Sequence, residues 1–292
     1  MHLTAGWTAP RSDICSVVRQ AGRRGSTTES RGATPAWQGA GVTTELLQTL
    51  ETFYDAVPRP VADPHEQGSM TLFVARTGWP YYARPTLGAT QVDASDVRAI
   101  VELAERLEVP VSLEWVHEIT PSLADAARAA GLTVREMPLL VLEGQVVEVP
   151  DAGVDVELLD ADDSRFGDVR AAVHAGFGNT DEKGAEPVEQ WIRDRVGQGL
   201  MRVAGAFTSD GSAVGGGSSQ TRGGVCELTG IATLPSWRRH GVGALVTRAL
   251  AEDATASGAS TVFLSANDDD VARVYERVGF RRVGTACTAE PA

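Results

Sequence analysis

The sequence is short of cysteine, of long hydrophobic runs and of positive charge. Its three cysteines, Cys15, Cys226 and Cys287, are scattered and form no C-x-x-C pair, so a reducing compartment without a disulfide framework is expected. The five histidines lie apart from one another, without the spacing of metal ligands, so no metal is expected. No apolar run approaches the roughly 20 residues needed to cross a bilayer, so we expect a cytoplasmic protein without a membrane partner.

The charge balance limits the classes of partner. The chain carries 26 Lys and Arg residues against 39 Asp and Glu residues, for a net charge of -13. Nucleic-acid binding needs clustered basic residues, so nucleic acid is not expected as a partner. The acidic excess is compatible with cationic ligands, although many proteins are acidic only for solubility. At 292 residues, two domains are the default expectation, with one large domain as the alternative.

The first 41 residues differ in composition from the rest. They hold five arginines against Asp13 and Glu29, and they are rich in Gly, Ser and Thr. Without a hydrophobic segment they do not match a secretory signal. We expect residues 1–41 to be a disordered tail, or upstream sequence translated from a start codon placed too early.

From residue 42 the chain alternates helical and strand patterns, which indicates an α/β fold. The segment DVRAIVELAERL places apolar residues on one helical stripe, whereas VDVELLD and STVFLSAN are typical of strands. A connector with Pro150 and Gly153 divides the chain into two predicted domains, 42–150 and 151–292. In both, a long amphipathic helix precedes a strand, a short helix, a glycine and another strand, so we predict two copies of one α/β unit.

The strongest candidate binding site is the segment PSWRRHGVGALV. It contains Arg238, Gly241 and Gly243 in an R-x-x-G-x-G spacing, between a predicted strand and an amphipathic helix. Glycines let a ligand approach the backbone, and the first N–H groups of a helix have no partner inside it. These donors and the helix dipole favour a phosphate at this position. An ordinary tight turn is the alternative, because a lone glycine motif is a weak signal.

A second motif strengthens the first. The segment VYERVGF holds Tyr275, Gly279 and Phe280 in a Y-x-x-x-G-F pattern. Together the strand LTGIAT, the glycine loop, the following helix, the strand TVFLSA and this motif resemble the GNAT superfamily of acyl-CoA-dependent N-acetyltransferases over residues 154–286. Residues 42–150 are similar to the degenerate N-terminal half of tandem GNAT proteins, most visibly in YYARP.

The resemblance implies a fold and a set of site residues. The fold is α/β, in the α+β form of GNAT proteins: two tandem GNAT-like units, each a mixed, mostly antiparallel sheet flanked by helices. Tyr275 is expected to be the general acid that protonates the CoA thiolate, and Glu227 the general base. The alternatives are a tyrosine that only packs on the cofactor and a solvated carboxylate. The residues expected at the cofactor are Ile231, Ala232 and Thr233 for the pantetheine arm, Arg238, Arg239, His240, Gly241, Val242, Gly243 and Ala244 for the pyrophosphate, and Asn267.

Two features depart from the family pattern. Asp268 stands seven residues before the tyrosine, where many members have asparagine, and Asn267 precedes it by one. Little sequence follows the sixth strand of the second unit, so we expect the first unit to close that edge of the sheet. The first unit lacks R-x-x-G-x-G and has Ala127 where Tyr275 stands, so it is expected to be a scaffold without a second active site.

The implied function is transfer of the acetyl group of acetyl-CoA, a co-substrate, to a primary amine by direct attack, because no cysteine sits in a nucleophile setting. A non-catalytic acyl-CoA sensor is the alternative, and a longer acyl chain also fits. The acceptor is expected to be a small-molecule or peptide amine, and the protein a monomer or homodimer. Asp181, Glu182 and Glu186, near the expected acceptor side, would suit a cationic acceptor, although solvated carboxylates are the commoner meaning of such charges.

Overall fold

The computed structural model describes residues 43–76, 78 and 81–291, so the predicted tail at 1–41 lies outside the described residues. Helices and strands alternate along this part of the chain, which confirms the α/β class. The helices are α1 (Thr44–Ala56), α2 (Ala94–Arg106), α3 (Ser122–Ala129), α4 (Phe166–Phe177), α5 (Gln190–Gly197), α6 (Val242–Ala256) and α7 (Asp269–Glu276). The strands are β1 (Ala62–Gln67), β2 (Met70–Ala75), β3 (Ala83–Pro85), β4 (Leu113–Val116), β5 (Leu132–Leu142), β6 (Asp155–Leu158), β7 (Arg202–Phe207), β8 (Ala213–Arg222), β9 (Val225–Thr233), β10 (Thr261–Ser265) and β11 (Phe280–Pro291).

Several element boundaries differ from those that the sequence predicts. The sequence pattern predicts a helix over 186–198, but α5 begins only at Gln190. Pro187 disfavours helical backbone before it, and Glu189 is still extended, with ψ 142°. Strands β1 and β3 are not predicted by the sequence pattern. β1 is a polar edge strand that contains Pro64, and β3 has only 3 residues, so neither shows the alternation of a half-buried strand.

The strands of the described chain form one sheet in the order β1-β2-β3-β4-β11-β5-β10-β9-β8-β7-β6. The two predicted units therefore share a continuous sheet. Within it, β3–β4 and β9–β10 are parallel pairs and the other neighbours are antiparallel. The expected meander is present, since β7, β8 and β9 follow one another as antiparallel neighbours.

The centre of the sheet is an exchange of strands between the two units. β5 belongs to residues 42–150, yet it lies between β10 and β11 of the second unit. In return, β11 lies between β4 and β5 of the first unit. β5 and β11 pair along their whole length, from Phe280–Leu142 to Pro291–Leu132. The first unit thus closes the edge for which the second unit has no strand of its own.

Helices cover both faces of the sheet. A side chain at Gly216 of β8 would meet Val173 of α4, whereas one at Gly217 would meet Val246 of α6. Successive strand residues face opposite sides, so α4 and α6 lie on opposite faces. No helix in the described ranges is long and apolar enough to span a membrane.

Buried clusters join the two units. One cluster lies under α1 and contains Phe53 together with Phe263 of the second unit. A second lies under α2 and α3 and contains Trp115 together with Cys287 of β11. A third fills the second unit between α4, α5, α6 and α7. Cys226 and Cys287 are both buried and carry free thiols. Apolar burial therefore stabilises the contact between the two units, in addition to the backbone hydrogen bonds of the shared sheet.

Candidate active site

A cleft opens where β9 and β10 separate. The two strands are paired only between 225–227 and 261–263. Further along β9, Gly230 has φ +62° and lies where the β8–β9 register shifts by one residue. The extra residue is a β-bulge, which increases the local twist and directs β9 away from β10. The resulting cleft has a volume of ≈ 1690 Å³ and is lined by residues of both units.

Ile231, Ala232 and Thr233, the residues expected at the pantetheine arm, all line this cleft. Within the described chain their strand pairs with β8 on one side, and its other edge has no partner at this level. β8 approaches closely, since a Cβ at Gly215 would lie 2.7 Å from the carbonyl oxygen of Ala232. The open edge of β9 is therefore able to pair with an extended ligand in place of a strand.

The R-x-x-G-x-G segment forms the turn before α6. Arg239 (φ +65°) and Gly241 (φ +99°) both adopt left-handed backbone, which glycine tolerates best. Gly241 precedes the helix without a side-chain cap. At Gly243 the space is open, because a Cβ there would have Thr233 Oγ1, at 3.8 Å, as its nearest neighbour. The turn thus leaves room for a ligand directly at the helix start.

The start of α6 also presents unpaired donors. Ala244 and Leu245 donate to the carbonyl oxygen of Gly241 at 3.0 and 3.1 Å. The N–H groups of residues 239–243 have no acceptor in the described part of the chain. These groups and the positive end of the helix dipole are able to bind an anion. Of the expected pyrophosphate residues, those that line the cleft are Arg238, Arg239, Gly241, Val242, Gly243 and Ala244.

Two side chains of this segment have other contacts. Arg238 donates to the carbonyl oxygen of Gly176 at 2.6 Å and to Asn179 Oδ1 at 2.7 Å, so it ties the loop to the C-terminal end of α4. A cation at a helix C-terminus also interacts favourably with the dipole. His240 does not line the cleft, and its ring centroid lies 5.9 Å from that of Trp237. The side chain of Arg238 therefore holds the loop against α4, and the side chain of His240 lies outside the cleft.

Glu227 lies in the cleft at the last residue pair between β9 and β10. Tyr54 of α1 donates a hydrogen bond from its hydroxyl to Glu227 Oε1 at 3.2 Å. Burial, and then the negative charge of Glu114, raise the pKa of Glu227 to about 8, while the Tyr54 hydrogen bond lowers it. A carboxylate with this pKa is suited to accept a proton near neutral pH. The sequence placed Glu227 near the site, but it gave no sign of the two neighbours from the first unit.

Tyr275 lies on α7 and borders the same cleft. Its side chain is buried, with 7% of its surface exposed. Burial, and then the charge of Asp268, raise the pKa of Tyr275 above its ordinary value. The hydroxyl therefore stays protonated at physiological pH and is able to donate a proton.

Asn267 and Asp268 both line the cleft, and each has an identified partner. Asn267 accepts a hydrogen bond on Oδ1 from Arg135 of β5 at 2.8 Å. Asp268 is the N-cap of α7, where its Oδ1 accepts from the N–H of Val271 at 2.9 Å. Helix capping therefore explains why Asp268 stands where many GNAT proteins have asparagine.

The cleft is also lined by several residues that the sequence did not indicate. From the first unit come Tyr54, Tyr81, Tyr82 and Glu114, and from the second Arg170, Trp191, Arg195 and Gln220. Arg195 donates to the Tyr81 hydroxyl at 2.8 Å and to Gln220 Oε1 at 2.6 Å. Two signals were available in the sequence. One is the pair of tyrosines in YYARP, and the other is Arg170, which stands among apolar residues in the sequence of α4.

The acidic segment 181–186 does not line the cleft. Asp181 accepts from the N–H and the hydroxyl of Ser236 at 3.0 and 2.8 Å, and these bonds lower its pKa. Glu186 lies 3.8 Å from His174 Nδ1. The structure therefore does not support these carboxylates as the recognition site for a cationic acceptor. Among the described residues, no group of three or more His, Cys, Asp or Glu side chains has the arrangement of a metal site.

Residues 170–280 match the model of the Acetyltransferase (GNAT) family. This segment contains the β9 edge, the glycine turn, α6 and Tyr275. No curated protein sequence matches the chain.

Solved structures share the fold over most of the chain. A GCN5-related N-acetyltransferase from Kribbella flavida is 23% identical, with a TM-score of 0.66, over 85% of this chain and 96% of that one. A GCN5-related N-acetyltransferase-like protein from Streptococcus suis is 13% identical, with a TM-score of 0.52, over 86% and 99% of the two chains. A GCN5-related N-acetyltransferase from Sphaerobacter thermophilus is 17% identical, with a TM-score of 0.50, over 76% and 79%. The chain therefore has a GNAT fold, and its residues 170–280 form a domain of the GNAT acetyltransferase family.

Proposed function

We propose that this protein transfers the acetyl group of acetyl-CoA to a primary amine. One observation carries the proposal: an open strand edge, a helix start with unpaired N–H groups, a carboxylate and a buried tyrosine all border one cleft. The strand edge fits the pantetheine arm of a CoA thioester, and the helix start fits its pyrophosphate. The carboxylate and the tyrosine fit the two proton transfers that an amine acylation needs.

The cofactor side of the cleft is proposed to bind acetyl-CoA through backbone groups. The N–H groups of residues 239–243 would hold the pyrophosphate, and the exposed guanidinium of Arg239 would add attraction. The open edge of β9 at Ile231–Thr233 would pair with the pantetheine arm. Asn267 would contact this arm only after its hydrogen bond with Arg135 is exchanged. When bound, acetyl-CoA supplies the acetyl group as a thioester, whose C–S bond breaks as the new C–N bond forms.

Glu227 is proposed to be the general base. An ammonium group cannot attack a thioester, so the site must first remove one proton from the acceptor. A carboxylate whose pKa is about 8 is well matched to this task at neutral or mildly alkaline pH. Tyr54 holds Oε1 by its hydrogen bond and leaves the other carboxylate oxygen available to the substrate.

Tyr275 is proposed to be the general acid that protonates the departing sulfur. A thiolate is a better leaving group when a proton reaches it, and general acid help is typically worth about 10²–10⁴ in rate. The raised pKa keeps the hydroxyl protonated but also makes it a weaker acid, so donation requires the negative charge that develops on the departing sulfur. Tyr275→Phe should therefore lower kcat for thiol release by about 10²-fold or more, with acetyl-CoA binding retained in calorimetry. An unchanged kcat would remove Tyr275 from the mechanism.

The first unit, 42–150, is proposed to be a degenerate GNAT-like repeat that completes the cleft. Its element order α2, β4, α3 and β5 parallels α6, β10, α7 and β11 of the second unit. It has no R-x-x-G-x-G segment before α2, but Tyr54, Tyr81 and Tyr82 reach the cleft. A superposition of the two units in an experimental structure would test this relationship, and a poor fit would remove it.

The activity is tested by two measurements on the wild-type protein. Calorimetry measures acetyl-CoA binding, and a thiol reagent measures free CoA release with a panel of primary amines. Binding with amine-dependent thiol release supports the acetyltransferase. Binding without release from any amine favours the acyl-CoA sensor, and no binding overturns both.

A further inference from the structure

Two arginines are buried on the acceptor side of the cleft. Arg170 has 5% of its surface exposed and Arg195 has 7%. Arg170 lies on the stripe of α4 that faces the cleft, together with Phe166, Val173 and Phe177. Arg195 lies on α5 beside Trp191, which also lines the cleft. Both side chains therefore line the same cleft.

Neither arginine has a carboxylate partner within the described chain. Arg170 forms no hydrogen bond or ion pair there, and its Nε is buried without a partner. Arg195 bonds only to the neutral groups of Tyr81 and Gln220, and its Nε is also buried without a partner. Burying a charge without an opposite charge is costly, so such groups are normally paired. These two arginines point to a ligand that supplies the missing negative charge.

The same molecule shows how it treats a buried arginine that has only a structural role. Arg84 of β3 is fully buried, and it forms an ion pair with Glu51 of α1. Glu51 also accepts a hydrogen bond from the N–H of Val116 at 3.1 Å. The charge of Arg84 is thus compensated inside the protein, although among the described residues its Nε lacks a hydrogen-bond partner, as those of Arg170 and Arg195 do. Arg170 and Arg195 differ from Arg84 in that they lack such a partner and border a cleft.

The position of Arg195 relates the buried arginines to the proposed general base, Glu227. Gln220, which Arg195 contacts, is the direct cross-strand partner of Glu227 in the β8–β9 pair. The Cβ atoms of such partners lie about 4.5–5.5 Å apart on one face of the sheet. Glu114 lies near Glu227 on the opposite side and raises its pKa. The cleft therefore places carboxylates, Glu227 and Glu114, close to a guanidinium, Arg195. The side chain of Gln220 lies between Glu227 and Arg195.

A third guanidinium, that of Arg222, lies near Arg195 but does not line the cleft. Burial, and then the charge of Arg195, lower the pKa of Arg222 at the end of β8. Arg222 donates to the carbonyl oxygen of Thr221 at 2.8 Å, and its Nη2 is buried without a partner. The positive charges thus extend along β8 beyond Gln220.

We propose that the acceptor is a primary amine that also carries an anionic group, a carboxylate or a phosphate, and that Arg170 and Arg195 bind this group. This inference rests on the proposed function and specifies its substrate class. The ammonium group of such an acceptor lies toward Glu227 and Glu114, and its anion lies toward the guanidinium groups. Planar guanidinium groups match carboxylate and phosphate oxygens in a bidentate manner. The acceptor is then zwitterionic, not cationic as the acidic segment 181–186 suggests from sequence alone.

The test compares acceptors that differ only in the anionic group. The pairs are L-phenylalanine with phenethylamine, β-alanine with ethylamine, and phosphoethanolamine with ethanolamine, with kcat/KM for thiol release as the readout. We expect the anionic member of at least one pair to be preferred by about ten- to hundredfold, the usual effect of a charge-assisted hydrogen bond. The preferred pair distinguishes carboxylate from phosphate. Equal or better use of every neutral-tailed amine overturns the proposal.

The variants Arg170→Met and Arg195→Met remove the charges and keep most of the side-chain volume. Each should reduce the preference to near one. Arg170→Met should leave Tm unchanged, because Arg170 has no partner within the described chain. Arg195→Met also removes the hydrogen bonds to Tyr81 and Gln220, so it should lower Tm while the protein still folds. Arg202→Met is the matched control, since Arg202 lies on β7 outside the cleft and pairs with Asp253. A preference that survives in both cleft variants overturns the proposal.

A binding measurement separates this inference from the enzyme assignment. Calorimetry with L-phenylalanine, β-alanine and phosphoethanolamine is carried out with CoA in excess, so that the start of α6 does not compete for the anion. If no amine is acetylated but one of these probes binds to wild type and not to Arg170→Met or Arg195→Met, the proposed activity fails and the anion site stands. If none binds and none is acetylated, the anion site fails as well.

Discussion

The starts of α2 and α6 occupy corresponding places in the two units, because each helix precedes a strand, a short helix and a second strand. At α2, the Asp96 carboxylate accepts from the N–H of Asp93 at 3.2 Å within a capping box, and from Ser69 Oγ at 2.6 Å. At α6, Gly241 provides no side-chain cap, and the N–H groups of 239–243 have no acceptor within the described chain. One helix start is occupied by the protein's own carboxylates, and the other is open.

This difference shows that the fold and the binding site are separable properties. Both units have the helix and sheet arrangement that brings a helix start to a strand edge. An internal carboxylate at α2 satisfies the N–H groups and repels an anionic ligand. Glycine at α6 leaves both the donors and the space to the ligand. Under the proposed repeat relationship, a few capping residues are enough to remove an anion site from a unit that keeps its arrangement of helices and strands.

The largest expected effect comes from closing the open helix start. Gly243→Glu should weaken acetyl-CoA binding by about 10³-fold or more, since like-charge juxtaposition costs several kcal/mol. Calorimetry measures the change. Gly184→Glu is the matched control, because Gly184 is exposed and has no atom within 4 Å of its Cβ position. An unaltered acetyl-CoA Kd in Gly243→Glu would show that the glycine turn does not bind the cofactor.

A smaller effect is expected from the base, which only the second unit supplies. Glu227→Gln should lower kcat by about 10²-fold and leave acetyl-CoA binding intact. The wild-type rate should rise with pH up to about 8, because Glu227 accepts a proton only when it is ionised. The variant should lack this rise. The same pH profile in both proteins would exclude Glu227 as the base.

The contribution of the first unit to this chemistry appears as opposite shifts of the pH profile. Glu114→Gln removes a charge that raises the pKa of Glu227, so the inflection should move to lower pH. Tyr54→Phe removes a hydrogen bond that lowers the same pKa, so the inflection should move to higher pH. Shifts in the same direction would contradict the causes assigned to Glu114 and Tyr54, and no shift in either variant would mean that the first unit does not tune the proposed base.

The smallest effect belongs to the occupied helix start. Asp96→Ala should reduce the free energy of unfolding by about 1 kcal/mol and leave the acetyl-CoA Kd unchanged. The Ser69 hydrogen bond holds the pKa of Asp96 below its usual range, so this contribution is present at neutral pH. It is lost as the pH falls through that lowered pKa. Urea titrations at neutral and at acidic pH measure the loss of unfolding free energy and its dependence on pH. A change in the acetyl-CoA Kd would link α2 to the cofactor.

The sequence indicated the glycine-turn side of the cleft better than the side of the buried arginines, and the reason is physical. Gly241, Gly243 and the β9 residues lie in one continuous segment whose order of strand, turn and helix is itself the signal. Arg170, Arg195 and Tyr54 come together only when α4, α5 and α1 pack over β8 and β9. No local spacing records such a contact.

The central strand exchange was predictable in part. The second unit lacks a strand for one edge, which called for help from the first unit. That β5 and β11 each enter the other unit depends on the pairing of two apolar strands far apart in the chain. The Asp268 departure from the family pattern, by contrast, has a local explanation, since aspartate is a good N-cap for α7.

The exchange of β5 and β11 also determines the order in which the chain folds. During synthesis, β4 and β5 leave the ribosome long before the 12 residues of β11 that separate them in the finished sheet. Until then both strands have exposed edges, which are sites of aggregation in partly folded chains. Pairing across such a sequence distance is also slow, because chain entropy opposes it. The shared sheet can therefore be completed only after β11 has been released, so the edges of β4 and β5 stay exposed for most of synthesis.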